Sequence, residues 1–162
     1  MLAKRNFYIN GKWIKPSKPN DFEVIDPSTE EPFAIISLGS EEDTDKAINA
    51  AKIAFETWRE TSKDERLELL EKFDEIYNRR WDEMVKAQST EMGAPMDYAS
   101  ETHTKMGADI SKNYIKILKD FNFEHQFDPN SNNHIRYEPI GVCGLITPWN
   151  FPMNQIVLKV IP

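Results

Sequence analysis

Gly141-Val142-Cys143-Gly144-Leu145-Ile146 runs without polar alternation into Thr147-Pro148-Trp149-Asn150-Phe151-Pro152. An apolar run that does not alternate predicts a strand buried on both faces, the habit of parallel sheets. The Thr147-Pro148 step breaks that strand. Pro152 then suits the first position of a new helix, where a missing N–H is no loss. Val157, Leu158, Val160 and Ile161 are expected to be buried along that helix. Strand, turn and helix in this order form the joint of an open α/β sheet, and ligands collect beyond the carboxyl ends of such strands. The start of the helix adds free backbone donors and the positive end of its dipole. Asn150 sits at the joint. Its side-chain amide can cap the helix or donate to a developing oxyanion without bringing a net charge, and position alone leaves both readings open. The joint carries no glycine fingerprint, so by itself it is a weak sign of a nucleotide site.

Upstream of the joint the chain changes character twice. Near the start, Phe7-Tyr8-Ile9 and Lys12-Trp13-Ile14 flank Asn10-Gly11, the strongest short-range hairpin signal. Phe22 to Ile25 and Phe33 to Leu38 are expected as strands, with Asp26-Pro27-Ser28-Thr29 as a turn between them. The period then becomes helical. Ser40 with Asp43, and Ser62 with Glu65, are capping boxes. Ala47, Ala50, Ala51, Ala54, Phe55 and Trp58 follow the first; Leu67, Leu70, Phe73, Ile76 and Tyr77 follow the second. Trp81, Met84, Val85 and Gln88 predict a third helix that ends at Gly93 and Pro95. Met106, Ile110, Tyr114, Ile117, Leu118 and Phe121 predict a fourth. Asp128 to Asn133 is a polar loop, and Ile135 to Pro139 a strand.

Composition narrows the possible functions. The chain has 162 residues, 20 basic and 27 acidic side chains and a net charge of −7. An acidic surface repels phosphate backbones, so nucleic acid is not an expected partner. No apolar run approaches the ~20 residues that cross a bilayer, and the start of the chain lacks a secretory h-region, so no membrane partner and a cytoplasmic location are expected. Cys143 is the only cysteine, which excludes an internal disulfide and a cysteine-based metal cluster. It lies in the apolar run, where a cysteine acts as a small hydrophobe. His103, His125 and His134 lack metal-ligand spacing and are expected to be surface or hydrogen-bonding residues.

The pentapeptide Pro148-Trp149-Asn150-Phe151-Pro152, preceded by Glu138-Pro139-Ile140-Gly141-Val142 and Gly144-Leu145-Ile146, is a specific combination. Tyr8-Ile9-Asn10-Gly11-Lys12-Trp13, Asp26-Pro27-Ser28-Thr29-Glu30, the helix from Ala47 to Trp58 and Glu91-Met92-Gly93-Ala94-Pro95 accompany it. Together they resemble the aldehyde dehydrogenase superfamily, over nearly the whole chain. The resemblance implies an α/β fold: residues 1–162 as the N-terminal portion of a Rossmann-like NAD(P)-binding domain, with 123–138 as a protruding β-hairpin for oligomer contacts. It implies an oxidoreductase that converts an aldehyde to a carboxylic acid with NAD or NADP through a cysteine thiohemiacetal. Homodimers or homotetramers are expected from it.

Carried over by motif, Asn150 is the catalytic oxyanion-hole donor, and Ile146, Thr147, Pro148, Trp149 and Asn150 border the cofactor. Trp149 read without the family is a core residue. The resemblance also implies a monovalent cation near the Ile36 carbonyl and the Glu91 carboxylate; alone, Glu91 reads as an ordinary end-of-helix acid. Cys143 precedes the Asn150 motif, whereas the family's nucleophile follows it at a distance, as do its general-base glutamate and its glycine motif. The apolar stretch running up to Pro162 leads to the expectation that the native product continues, and this chain alone is expected to be inactive. Two other readings stand beside this one: a non-catalytic structural or interaction module built on the same fold, and a relative turned to acyl-phosphate or acyl-CoA chemistry.

Overall fold

A computed structural model describes residues 1–162. Five short strands come first: β1 (Leu2–Lys4), β2 (Phe7–Ile9), β3 (Lys12–Ile14), β4 (Asp21–Asp26) and β5 (Glu31–Ser37). β2 and β3 pair as the expected hairpin, with Phe7 opposite Ile14. Its turn has φ of 52° at Asn10 and 72° at Gly11. Two successive left-handed residues match the right-handed twist of the strands, and Asn-Gly tolerates them best. β5 is the centre of a small sheet, paired parallel to β1 and antiparallel to β4. β1 carries no pattern of its own and exists because β5 offers it an edge.

Both capping boxes form. Ser40 Oγ accepts from the Asp43 N–H, and Asp43 Oδ2 accepts from the Ser40 N–H at 2.9 Å. Asp43 also accepts the Ser17 N–H at 2.8 Å, which ties the segment after β3 to the start of α1 (Glu41–Trp58). These bonds to its charged form, the backbone one from Ser40 first, hold the Asp43 carboxyl well below the usual range. Ser62 and Glu65 repeat the box at α2 (Lys63–Arg79). α3 (Trp81–Met92) ends where Gly93 takes φ 72°. The Pro27 ring packs close enough that a Cβ on Gly93 would lie 2.9 Å from Cγ, so turn and helix end are fitted to each other.

A short turn of helix, α4 (Met96–Tyr98), passes through a π-helical segment, Ala99–Thr104, into α5 (Lys105–Asp120). β6 (Glu124–Gln126) and β7 (His134–Arg136) pair antiparallel, with Glu124 opposite Arg136. The Asp128–Asn133 loop closes them, and Asp128 Oδ1 accepts the Asn130 N–H at 2.8 Å. α6 (Pro152–Val160) begins at Pro152 as expected.

The main core lies where α2, α5 and α6 meet, around Tyr77, Ala108 and Val157. Gly107 lets α5 approach α2: a Cβ there would sit 2.3 Å from the Tyr77 hydroxyl. A second cluster, Val85, Ala94 and Ala99, joins α3 to the π segment.

Four expectations need correction. Residues 141–146 form no strand, because a parallel strand exists only through its neighbours' ladder bonds and no strand of residues 1–162 lies beside it. For the same reason Cys143 is exposed. On α6, Val157 is buried and Ile161 partly so, while Leu158 and Val160 are exposed because α5 and the π segment cover only one side of a helix. His103 is neither on the surface nor hydrogen-bonded through Nδ1: it is 2 % exposed, and that nitrogen has no partner.

Candidate active site

At the joint, Phe151 is the N-cap of α6, with φ −142° and ψ 69°, and no side chain caps the helix. The first intrahelical bond runs from the Gln155 N–H to the Phe151 carbonyl at 2.9 Å. The backbone donors of the first turn are therefore left to a ligand or to water, at the positive end of the helix dipole. Asn150 is not the cap. It is exposed, and its side chain makes no hydrogen bond within the chain.

The end of α3 faces this joint. Gln88, Glu91 and Met92 line one side of a cleft of about 350 Å³, and Thr147, Pro148, Trp149, Pro152 and Ile156 line the other. Trp149 is 80 % exposed, so its indole is an open flat surface in this chain and the core reading does not apply. Ile146 is also exposed, and neither it nor Asn150 lines the cleft. Thr147, Pro148 and Trp149 are thus brought together, with Glu91 and Gln88 as partners that no motif had joined to them. Ile36 lies instead in β5, between Lys4 and Phe22 of the neighbouring strands, and does not reach the cleft. No group of three or more His, Cys, Asp or Glu side chains converges anywhere. A larger, mostly polar cleft between the α1–α2 junction and β7 is lined by Arg59, Arg66 and Arg136 and contains no residue of the joint.

Beneath the joint lies a residue that the sequence did not reveal. The His103 imidazole stacks on the Phe151 ring at 4.5 Å between centroids and 18° between planes. Tyr98 meets the same imidazole edge-on at 4.9 Å. Burial pushes the His103 pKa below its ordinary value, because the charged form loses its water.

The π segment that carries His103 is fixed from two helices. Tyr77 OH donates to the Thr104 carbonyl at 2.9 Å, Gln88 Nε2 donates to Thr104 Oγ1 at 2.7 Å, and Trp81 Nε1 donates to Ser100 Oγ at 3.0 Å. A π turn displaces the i−4 hydrogen bonds, and the buried Tyr77 hydroxyl takes up one of the carbonyls involved. Helical periodicity cannot locate such a turn, because the inserted residue shifts which side chains face inward. The one hint was the string of polar residues from Ser100 to Thr104, which resembles a surface.

Comparison with known proteins identifies the family of the chain. The model of the aldehyde dehydrogenase family matches residues 13–162. A 3-succinoylsemialdehyde-pyridine dehydrogenase from a Pseudomonas species is 45% identical over 100% of this chain and 34% of its own length. The crystal structure of an aldehyde dehydrogenase from Bartonella henselae superposes with a TM-score of 0.97 at 55% identity, covering 99% of this chain and 34% of that one. Aldehyde dehydrogenase C from Pseudomonas syringae, solved as a cysteine-to-alanine mutant with NAD+ and octanal, gives 0.93 at 36% identity, over 97% of this chain and 32% of its own. The chain spans about a third of the length of these relatives.

Proposed function

The chain belongs to the aldehyde dehydrogenase family, and from that premise we propose that it supplies the oxyanion donor and one wall of the cofactor cleft in an NAD(P)-dependent aldehyde-oxidising enzyme. The observation that carries this reading is the free, exposed Asn150 amide directly before an uncapped helix N-terminus.

The residues of the cleft fit a dinucleotide. Trp149 and Pro148 offer flat apolar surface, Thr147 a hydroxyl, and the first turn of α6 unpaired N–H groups for anionic oxygens. NAD or NADP, when bound, supplies the acceptor for the hydride that leaves the aldehyde carbon. Asn150 donates its amide N–H to the oxygen of the tetrahedral adduct formed when a thiolate adds to the aldehyde. Because this donor is neutral, it steadies the oxyanion without trapping it, so the adduct still collapses to a thioester that water hydrolyses to the acid. One such donor is worth ~10²–10³ in turnover. Cys143 is not the attacking thiol, since it stands seven residues before Asn150 on the same exposed segment. In this reading the nucleophile and the general base lie in the part of the relatives that this chain does not span.

The same reading gives the hairpin at 123–138 to contacts between subunits of a homodimer or homotetramer. Its support is the exposure of all of β6 and of Phe127. No helix is long and apolar enough to cross a membrane, and a cytoplasmic location accompanies the reading. The test is formation of reduced nicotinamide by the protein expressed from its native reading frame, across aliphatic and aromatic aldehydes. Aldehyde-dependent reduction of NAD+ or NADP+ is the expected result. A purified, folded protein that reduces neither with any aldehyde would exclude the reading and favour the non-catalytic module.

A further inference from the structure

Asn150 is joined to α6 through a single residue. On its C-terminal side stands Phe151, and after that Pro152, whose ring fixes φ. The orientation of the Asn150 peptide relative to α6 is therefore set by the two torsions of Phe151, which take −142° and 69° outside the helix. No hydrogen bond of the Asn150 side chain and no side-chain cap restrains this swivel. From the α6 side the Phe151 ring restrains it, and the ring rests on His103.

The contact has the features of a fixed support. The two rings are nearly parallel at 4.5 Å, the range in which aromatic pairs attract. His103 is 2 % exposed, with Tyr98 against its edge. Its own segment is anchored by Tyr77, Gln88 and Trp81 through buried or half-buried hydrogen bonds. Burial also lowers the imidazole pKa and so favours its neutral form, which suits stacking on an apolar ring.

We propose that His103 is a positioning residue for the oxyanion donor: its imidazole seats the Phe151 ring and thereby fixes where the Asn150 amide points. The proposal rests on the reading of Asn150 given above. It assigns His103 no contact with substrate or cofactor, so its effect belongs in kcat and not in binding.

The experiment compares His103→Gln, His103→Phe, Asn150→Ala and the His103→Gln/Asn150→Ala double variant in the protein expressed from its native reading frame, each confirmed folded by thermal melting above the assay temperature. A small misplacement of a catalytic group costs up to about 100-fold, so His103→Gln, which loses the ring but keeps the polarity, is expected to lower kcat by about 10- to 100-fold. KM for aldehyde and for the dinucleotide is expected to stay within about twofold. His103→Phe keeps a ring against Phe151 and is expected to restore most of kcat. The double variant is expected to be no slower than Asn150→Ala, because groups that act as a unit are not additive. Unchanged kcat in His103→Gln, or a multiplicative loss in the double variant, would overturn the positioning role. Near-normal turnover in Asn150→Ala would instead overturn the oxyanion reading on which it rests, so the two failures are distinguishable.

Discussion

Gly107 and Tyr77 show how closely single residues fit in the core. A Cβ at position 107 would meet the Tyr77 hydroxyl at 2.3 Å, and that hydroxyl is committed to the Thr104 carbonyl. Gly107→Ala is therefore expected to destabilise the fold by about 1–3 kcal/mol, as overpacking does. Tyr77→Phe is expected to cost about 1 kcal/mol by removing a buried hydrogen bond. The two losses are expected to be less than additive in the double variant, because removing the hydroxyl makes room for the methyl group. Chemical denaturation of the four proteins measures this, and full additivity would contradict it.

His103 supplies the pH dependence at the same scale. Its folded pKa is lowered, whereas the unfolded side chain titrates near ~6.5. As the pH falls through that value the unfolded state takes up a proton that the folded state refuses, so stability falls, and it levels off below the folded pKa. His103→Phe is expected to abolish this loss between neutral pH and the acid side, read from melting temperatures. The Asp43 carboxylate acts further into acid: its lowered pKa contributes stability above the ordinary carboxylate range, and this is lost as the pH falls through the folded value.

At the scale of elements, the parts governed by local chemistry were legible. Asn10-Gly11 set its own turn, Ser40 and Ser62 started their helices, Gly93 stopped one and Pro152 began another. Each is decided by residues within a few positions. Elements that need a distant partner were not legible. β1 has no pattern and takes its place from β5. The π segment breaks the period used to find helices, and so concealed His103. The run from Gly141 to Ile146 failed the other way, since its pattern describes a strand with neighbours on both sides and no strand pairs with it. The cap of α2 offers a direct check. Ser62→Ala removes the acceptor for the Glu65 N–H and is expected to cost about 1 kcal/mol, seen as a fall in the denaturation midpoint at unchanged slope.

Across the whole molecule, the candidate site is assembled from three places in the chain: the joint at 147–152, the end of α3, and the π segment below. The pentapeptide pointed to Asn150 and Trp149, and of these Trp149 lines the cleft. Glu91 and Gln88 entered the cleft only when α3 folded against it, and His103 only when the π segment did. The open indole of Trp149 provides a probe of the cleft. Its fluorescence is expected to be quenched when NAD+ or NADP+ binds to the protein expressed from its native reading frame, and Trp149→Phe is expected to remove that signal. Quenching that survives the substitution would place the dinucleotide elsewhere.

The most direct measurement is kcat for Asn150→Ala beside the parent protein, with the dissociation constant of the dinucleotide measured in both. The expected result is a loss of ~10²–10³ in kcat with the dissociation constant nearly unchanged, as fits a donor that acts only on the transient oxyanion. Turnover near that of the parent protein would contradict the account.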